Sequence, residues 1–374
     1  MIKRILIVFF VLLLILLSRA FANPIPERNF DPNFKPTYGI SYSFEQASWY
    51  GLNPREDFVK LLDEFKFSWV RLPFFWDQSV IGTGSMTGTK SAKSNDDMDL
   101  RDLKWAIEEA GKRNIRVIIA LGVKTPYFPE YHWPKEVSRK VKFGELITSD
   151  HPVAADILAI DTKVVEELSV YDNIAYWQVE NEPLVGNVNK WKIDSSLLAA
   201  EVEVVRTTDS KKRPIILNHA ATGFYDNSWK KLLPILKLGD VFAVNAFFKT
   251  KGTDLVSVKI FGREIHILWP DHLAWPVHSW LVFSPNYQTI KETVEANGNK
   301  LWIMEMQSEP YIKKIEQADD PFLTFTPQDI IAGNNFLKSY QIESIGLWGA
   351  HFWQYQQKKG NPAWVDTAKS VVNN

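Results

Sequence analysis

Eight short runs of β-branched and aromatic residues, each followed by a longer amphipathic stretch, set the fold of this 374-residue chain. The runs are residues 38–44, 69–75, 116–121, 175–179, 214–218, 241–247, 301–306 and 344–349. Helical periodicity fills the gaps at 54–66, 99–113, 154–169, 195–208, 228–238, 287–296 and 327–340. The first of these helices opens with Asn53 at the N-cap and Pro54 at the first position, where a missing N–H is harmless. Strands that alternate with helices lie parallel and are covered by those helices. Eight repeats over about 330 residues predict one (β/α)8 TIM barrel. The rival, a doubly wound open sheet, requires a Gly-rich phosphate loop after the first strand, and none is present.

The N-terminus follows another rule. Lys3 and Arg4 precede an apolar run from Ile5 to Leu17, and Ala20-Phe21-Ala22 closes the segment. A basic start, a short apolar middle and small residues at the end describe a secretory signal peptide, residues 1–22. Its 13 apolar residues are few for a membrane span, so membrane contact is expected only if this segment stays attached as an anchor. Residues 23–37 read as an arm or linker and 38–374 as the barrel domain. The expected location is outside the cytoplasm: secreted, periplasmic or at the cell surface. Cleavage removes Lys3, Arg4 and Arg19 and no acid, moving the formal net charge from −1 by three units to −4. Neither sign forms a long block, which gives no support to nucleic-acid binding. The absence of cysteine excludes disulfides and thiol chemistry.

Three connections are long for a barrel: 80–97, 124–150 and 250–286, the last containing Trp269, Trp275 and Trp280. All three leave the C-terminal ends of strands, where the loops of such barrels build binding sites. The chain holds 15 tryptophans; core packing accounts for many of them, and flat aromatic faces also suit the C–H faces of sugars.

Two carboxylates stand at the ends of separate apolar runs. Glu182 lies in Tyr176-Trp-Gln-Val-Glu-Asn-Glu-Pro183 and Glu305 in Leu301-Trp-Ile-Met-Glu-Met-Gln307. A pair of carboxyls facing across a barrel mouth is the minimal equipment for cleaving a glycosidic bond with retention. One group donates a proton to the leaving oxygen and the other attacks the anomeric carbon. Glu182 is assigned as acid/base and Glu305 as nucleophile. Glu180, two residues before Glu182, reads as a deeper structural carboxylate, and Glu309, before Pro310, as a rim or structural residue.

Asn181-Glu182-Pro183 after an apolar strand resembles the acid/base motif of glycoside hydrolase clan A, the cellulase and β-galactosidase superfamily. Trp302–Gln307 resembles its strand-seven nucleophile segment, and Val70-Arg71-Leu72-Pro73 its strand-two arginine motif. The likeness runs from about Tyr38 to Trp364. The stretch from Ala106 to Pro134 is similar to a bacterial branch of cellulase-like proteins. The resemblance implies that Arg71 supports the nucleophile and that Asn181 contacts the sugar 2-hydroxyl. A charge-assisted bond from Arg71 would also hold Glu305 ionised. One departure stands out. Cellulase-like members often carry a His-x-Tyr pair at the end of strand six, where the Tyr bonds the nucleophile, whereas this chain has Asn245 and Phe247.

Strand eight offers Trp348 or Trp353 as a platform for the reacting sugar. His132, His219 and His351 fall near strand ends or cleft loops, and His132 and His219 join the expected sugar-binding set. No spacing of the His-Glu-x-x-His kind suggests a metal, no cofactor is expected, and no Gly-x-Ser-x-Gly elbow suggests a serine hydrolase. The partner expected is a β-linked glycan or oligosaccharide. Transglycosylation at the same site, or glycan binding without turnover, are the alternatives the sequence leaves open.

Overall fold

The computed structural model describes residues 9–11, 25, 28–79, 98–186, 190–220, 227–250, 254–260, 263–268, 275–276, 285–312, 314–320 and 325–373. The expected loop 80–97, Trp269, Trp280 and most of the expected signal segment lie outside the described residues.

Eight parallel strands close into a barrel: β1 (Thr37–Ser41), β2 (Trp69–Pro73), β3 (Arg116–Leu121), β4 (Ile174–Val179), β5 (Ile215–Ala220), β6 (Val241–Ala246), β7 (Lys300–Gln307) and β8 (Ser344–Trp348). Each pairs with its sequence neighbours, and β1 closes the ring against β8 with Ile40 opposite Leu347. The (β/α)8 barrel expected from the sequence is the fold observed.

Alternation along the strands divides the barrel into two layers. Val70, Leu72, Leu217 and Phe242 face outward into the helix-packed core. Trp69, Ile118, Ile216, Val241, Ala243, Trp302 and Met304 fill the lower interior. Trp69 spans this layer because two neighbours lack side chains. A β-carbon on Gly39 would lie 2.0 Å from the Trp69 ring, and one on Gly346 2.5 Å from it. The indole N–H of Trp69 donates to Ser344 Oγ at 2.8 Å. One step further up, the inward positions turn polar: Ser41, Arg71, Gln178, Asn218, Asn245 and Glu305. All six are buried. Buried polar groups persist only when bonded to one another, so this layer marks the functional end.

The helices Pro54–Glu64, Arg101–Lys112, Ala154–Leu168, Ser195–Thr208, Tyr287–Ala296 and Pro327–Lys338 occur where periodicity placed them. The helix expected at 228–238 is replaced by two 3-10 turns, Ser228–Lys231 and Leu233–Ile235. Pro234 has no N–H for a longer ladder and crowds the preceding turn. Helices Phe44–Trp49, Ala350–Lys358 and Ala363–Asn373 were not anticipated. The first shortens the strand expected at 38–44, because Ser43 Oγ accepts the N–H of Gln46 and starts a helix there.

Candidate active site

β4 stops at Val179, and the chain then turns through Glu180 and Glu182, both left-handed at φ 57° and φ 51°. The two side chains therefore do not share a face, as an extended strand would make them. Glu180 turns back into the protein. Its carboxylate accepts the N–H groups of Val123 at 2.9 Å and Lys124 at 2.5 Å. Gly122 lets it approach, since a β-carbon there would lie 2.3 Å from the Glu180 carboxyl. Glu182 turns to the mouth. Lys124 Nζ donates to the Glu182 carbonyl at 2.7 Å and to that of Val185 at 2.6 Å, so a buried ammonium ties this turn to the loop after β3. The Glu182 N–H donates to Asn218 Oδ1 at 3.0 Å. Asn245 Nδ2 donates to Glu182 Oε1 at 2.7 Å.

Glu305 owes its aim to an irregularity in β7. Trp302 and Met304 face inward and Ile303 and Met306 outward, so strict alternation would send residue 305 outward too. The register of β7 against β6 shifts between Ile303 and Glu305. That bulge lets Met304 and Glu305 both face inward, a common device beside active sites. Arg71 Nη2 then meets Glu305 Oε1 at 2.6 Å. The same guanidinium donates from Nε to Ser41 Oγ at 2.8 Å, and from Nη1 to Gln178 Oε1 at 3.2 Å and Asn181 Oδ1 at 3.5 Å. Asn181 Oδ1 also accepts from Asn218 Nδ2 at 2.8 Å. Burial is the largest influence on Glu305 and pushes its carboxyl up to about 7. The Arg71 charge opposes this, and the Glu182 charge adds to it. Arg71 thus moderates a strong desolvation effect without overcoming it, which departs from the expectation of a nucleophile held low.

The model of the cellulase family, glycosyl hydrolase family 5, matches residues 30–240, more than half of the chain. The chain belongs to glycosyl hydrolase family 5. It is a glycosidase, and the family implies a retaining hydrolase acting on β-glycosides. No curated protein matches the chain. Solved structures at low identity share its fold. A β-galactosidase from the psychrophilic Marinomonas ef1 is 14% identical with a TM-score of 0.50; the match covers 83% of this chain but 53% of that one, so this chain spans about half its length. A broad specificity family 5 endoglucanase from an uncultured bovine rumen ciliate is 15% identical, TM-score 0.52, over 87% of this chain and 88% of that. A Streptomyces cattleya family 5 enzyme in complex with Manβ1-4GlcNAc is 12% identical, TM-score 0.51, over 84% and 71%.

In this family 5 glycosidase the structure brings together Glu182, Glu305, Arg71, Asn181 and Trp348 of the expected set. Trp348 is half-buried at the mouth, with the Arg71 guanidinium carbon 5.9 Å from its ring centre. Three expected residues are placed elsewhere. Trp353 is fully buried, its indole N–H donating to the Ser308 carbonyl at 2.7 Å, because it heads a helix packed under Phe65. It is a core residue and not a platform. His219 is buried, with Nδ1 2.6 Å from the Ala220 carbonyl and Nε2 3.0 Å from Ser228 Oγ. His132 is buried against Phe75, ring centres 4.0 Å apart. Neither presents a ring nitrogen to the open mouth. His351 is also buried; its Nε2 lies against the backbone of Ser43, and burial pushes it down to about 3, so it is neutral. Gln178 and Asn218 belong to the site but were missed. Their signal was present: each is a polar residue at an inward position of an otherwise apolar run. Among the described residues no group of three His, Cys, Asp or Glu is arranged to hold a metal ion.

Proposed function

We propose that this family 5 enzyme hydrolyses a β-linked glycan by double displacement, with Glu305 as nucleophile and Glu182 as acid/base. Glu305 attacks the anomeric carbon as Glu182 gives its proton to the departing oxygen, forming a glycosyl ester and a free alcohol. Glu182 then takes a proton from water, whose oxygen attacks the same carbon and releases Glu305. The observation that carries this reading is the position of Asn245. It stands opposite Glu305 in the ladder and bonds Glu182, and the Glu182 charge acts on Glu305.

Arg71 orients Glu305 and offsets part of its desolvation. Asn181, fixed through Oδ1 by Asn218, is proposed to meet the 2-hydroxyl of the reacting sugar. Trp348 is proposed as an aromatic face at the mouth. Export directed by residues 1–22 is part of the proposal, and cell fractionation with N-terminal sequencing tests it: an exported protein starting at Asn23 is expected, a membrane-bound one starting at Met1 marks an uncleaved anchor, and recovery in the cytoplasm alone contradicts it.

The experiment is reducing-sugar release by residues 23–374 from β-glucans, β-mannans, xylans and β-galactosides, with Glu305→Ala alongside. Release by wild type alone supports the reading. Release by both removes Glu305 from its role.

A further inference from the structure

The loop after β7 returns another carboxylate, Glu309, to the mouth beside Trp348. Its surroundings are aromatic. The Trp348 indole N–H is within reach of the Glu309 carboxyl. The Trp348 ring lies against Tyr127, centres 4.4 Å apart and planes at 30°. Tyr127 is held there at φ 81°, a backbone conformation that residues other than glycine adopt rarely and at an energetic cost. Tyr50 closes the group from the segment after β1. It is 3% exposed, its hydroxyl has no hydrogen-bond partner among the described residues, and both Glu309 and Tyr127 act on it electrostatically. A buried hydroxyl left unbonded within the field of a carboxyl is unusual and adds a polar edge to this aromatic wall.

Among the described residues the groups around it are mostly acidic. Glu130 and Glu309 join Glu182 and Glu305 at this end of the barrel, and Glu130 raises Glu305 electrostatically. Among the described residues the cations that act on these groups are Arg71 and Lys124, and both are committed. Arg71 serves Glu305, Ser41, Gln178 and Asn181. Lys124 Nζ serves two carbonyls and lies 3.8 Å from Glu130. An anionic sugar would meet four carboxyls and no uncommitted cation of this set.

We propose that Glu309, with Tyr50, Tyr127 and Trp348 as walls, binds the ammonium group of an amino sugar, making β-linked glucosamine-containing glycans the substrate class. The proposal rests on the glycosidase reading above. An ammonium has three N–H donors. Glu309 accepts one or two, and the aromatic faces attract the charge directly. The Glu309 carboxyl agrees with this. Burial pushes Glu309 up to about 8, so it keeps its proton near neutrality until a cation arrives to ionise it. A neutral hydroxyl would bring no such compensation.

The test compares kcat/KM on chitosan oligosaccharides and on cello-oligosaccharides at about pH 6, where an amine is charged. Wild type, Glu309→Gln and Glu305→Ala are measured together. Wild type is expected to prefer the amino glycan. Glu309→Gln should cut the amino-to-neutral ratio about 10- to 100-fold, the equivalent of one charge-assisted hydrogen bond. A ratio unchanged in Glu309→Gln, or no cleavage of the amino glycan by wild type, overturns the inference. Turnover that persists in Glu305→Ala overturns the nucleophile assignment instead. Direct titration of wild type with glucosamine and with glucose keeps the question answerable if Glu309→Gln does not fold. Glucosamine should bind more tightly and weaken with added salt; equal binding of the two sugars rejects the ammonium site.

Discussion

Asn245 donates a hydrogen bond to Glu182 Oε1 at 2.7 Å while standing opposite Glu305 in the β6–β7 ladder. One short amide thus fixes the acid/base relative to the strand that carries the nucleophile. In the resembling cellulase-like proteins a His-x-Tyr pair often occupies this strand end. Here it is the Asn245 amide that meets the Glu182 carboxyl.

Removing that amide should therefore harm catalysis more than binding. Asn245→Ala is expected to lower kcat about 10- to 100-fold with little change in KM, since positioning of a general acid is worth such factors. Steady-state kinetics on the best substrate of the panel reads this directly. A raised KM with unchanged kcat would instead make Asn245 a simple binding residue.

Arg71 reaches four side chains from one planar group. Lysine keeps the charge but not the fork. Arg71→Lys should fold and lose about 100-fold or more in kcat. Arg71→Met leaves a buried carboxylate without its partner and should cost about 3–5 kcal/mol of stability. The pH profile adds a finer check. With the Glu305 carboxyl near 7, kcat/KM should fall on the acid side of about 7, where the nucleophile is protonated. Arg71→Lys should carry that limb to higher pH.

A second set of carboxyls predicts how stability depends on pH. Asp161, Glu180 and Glu201 are fully buried, and their carboxyls act on one another. Burial raises all three. Glu180 reaches about 7, with the N–H groups of Val123 and Lys124 holding it back. A carboxyl whose folded value lies above its unfolded one favours the folded state in acid and loses that contribution as pH rises through the folded value. For Glu180, starting from an ordinary value of 4.5, the loss is on the order of 3 kcal/mol. Carboxylates lowered by surface partners, such as Asp63 and Glu167, act in the opposite sense but are exposed and screened. The melting temperature should fall between about pH 5 and pH 8. Glu201→Gln, which supplies N–H donors without a charge, should flatten that fall by stabilising the protein at pH 8 and not at pH 5. An identical slope in both proteins would contradict the shared burial of these groups.

Trp348 and Trp353 can be told apart by what each loss changes. Trp353→Ala should destabilise by about 3–5 kcal/mol, because it empties core volume. Trp348→Ala should leave the melting temperature nearly unchanged and weaken substrate use. Thermal unfolding and kinetics on the two variants check both halves.

Much of this was legible in the chain. Strand–helix alternation announced the barrel, Glu182 and Glu305 could be named from the ends of apolar runs, and Arg71 and Asn181 from the resemblance of their segments to clan A motifs. What stayed hidden depends on geometry that alternation does not encode. The bulge in β7 turns Glu305 inward against strict period two. The left-handed residues after β4 separate Glu180 from Glu182. Trp353 looks like a cleft residue until Gly349 begins a helix that buries it. Asn218 could have been found, because an Asn at the inward, C-terminal position of a run such as Ile215–Ala220 must bond to something. Tyr127 could not, since its place against Trp348 depends on a loop conformation with no sequence period.

The most direct test of the central claim is to trap the intermediate. The protein is incubated with a slow 2-deoxy-2-fluoro glycoside of the preferred sugar, digested, and the labelled peptide sequenced by mass spectrometry. The double-displacement account predicts one glycosyl group esterified to Glu305 in wild type and none in Glu305→Ala. A label on any other residue, or full hydrolytic activity in Glu305→Ala, would contradict it.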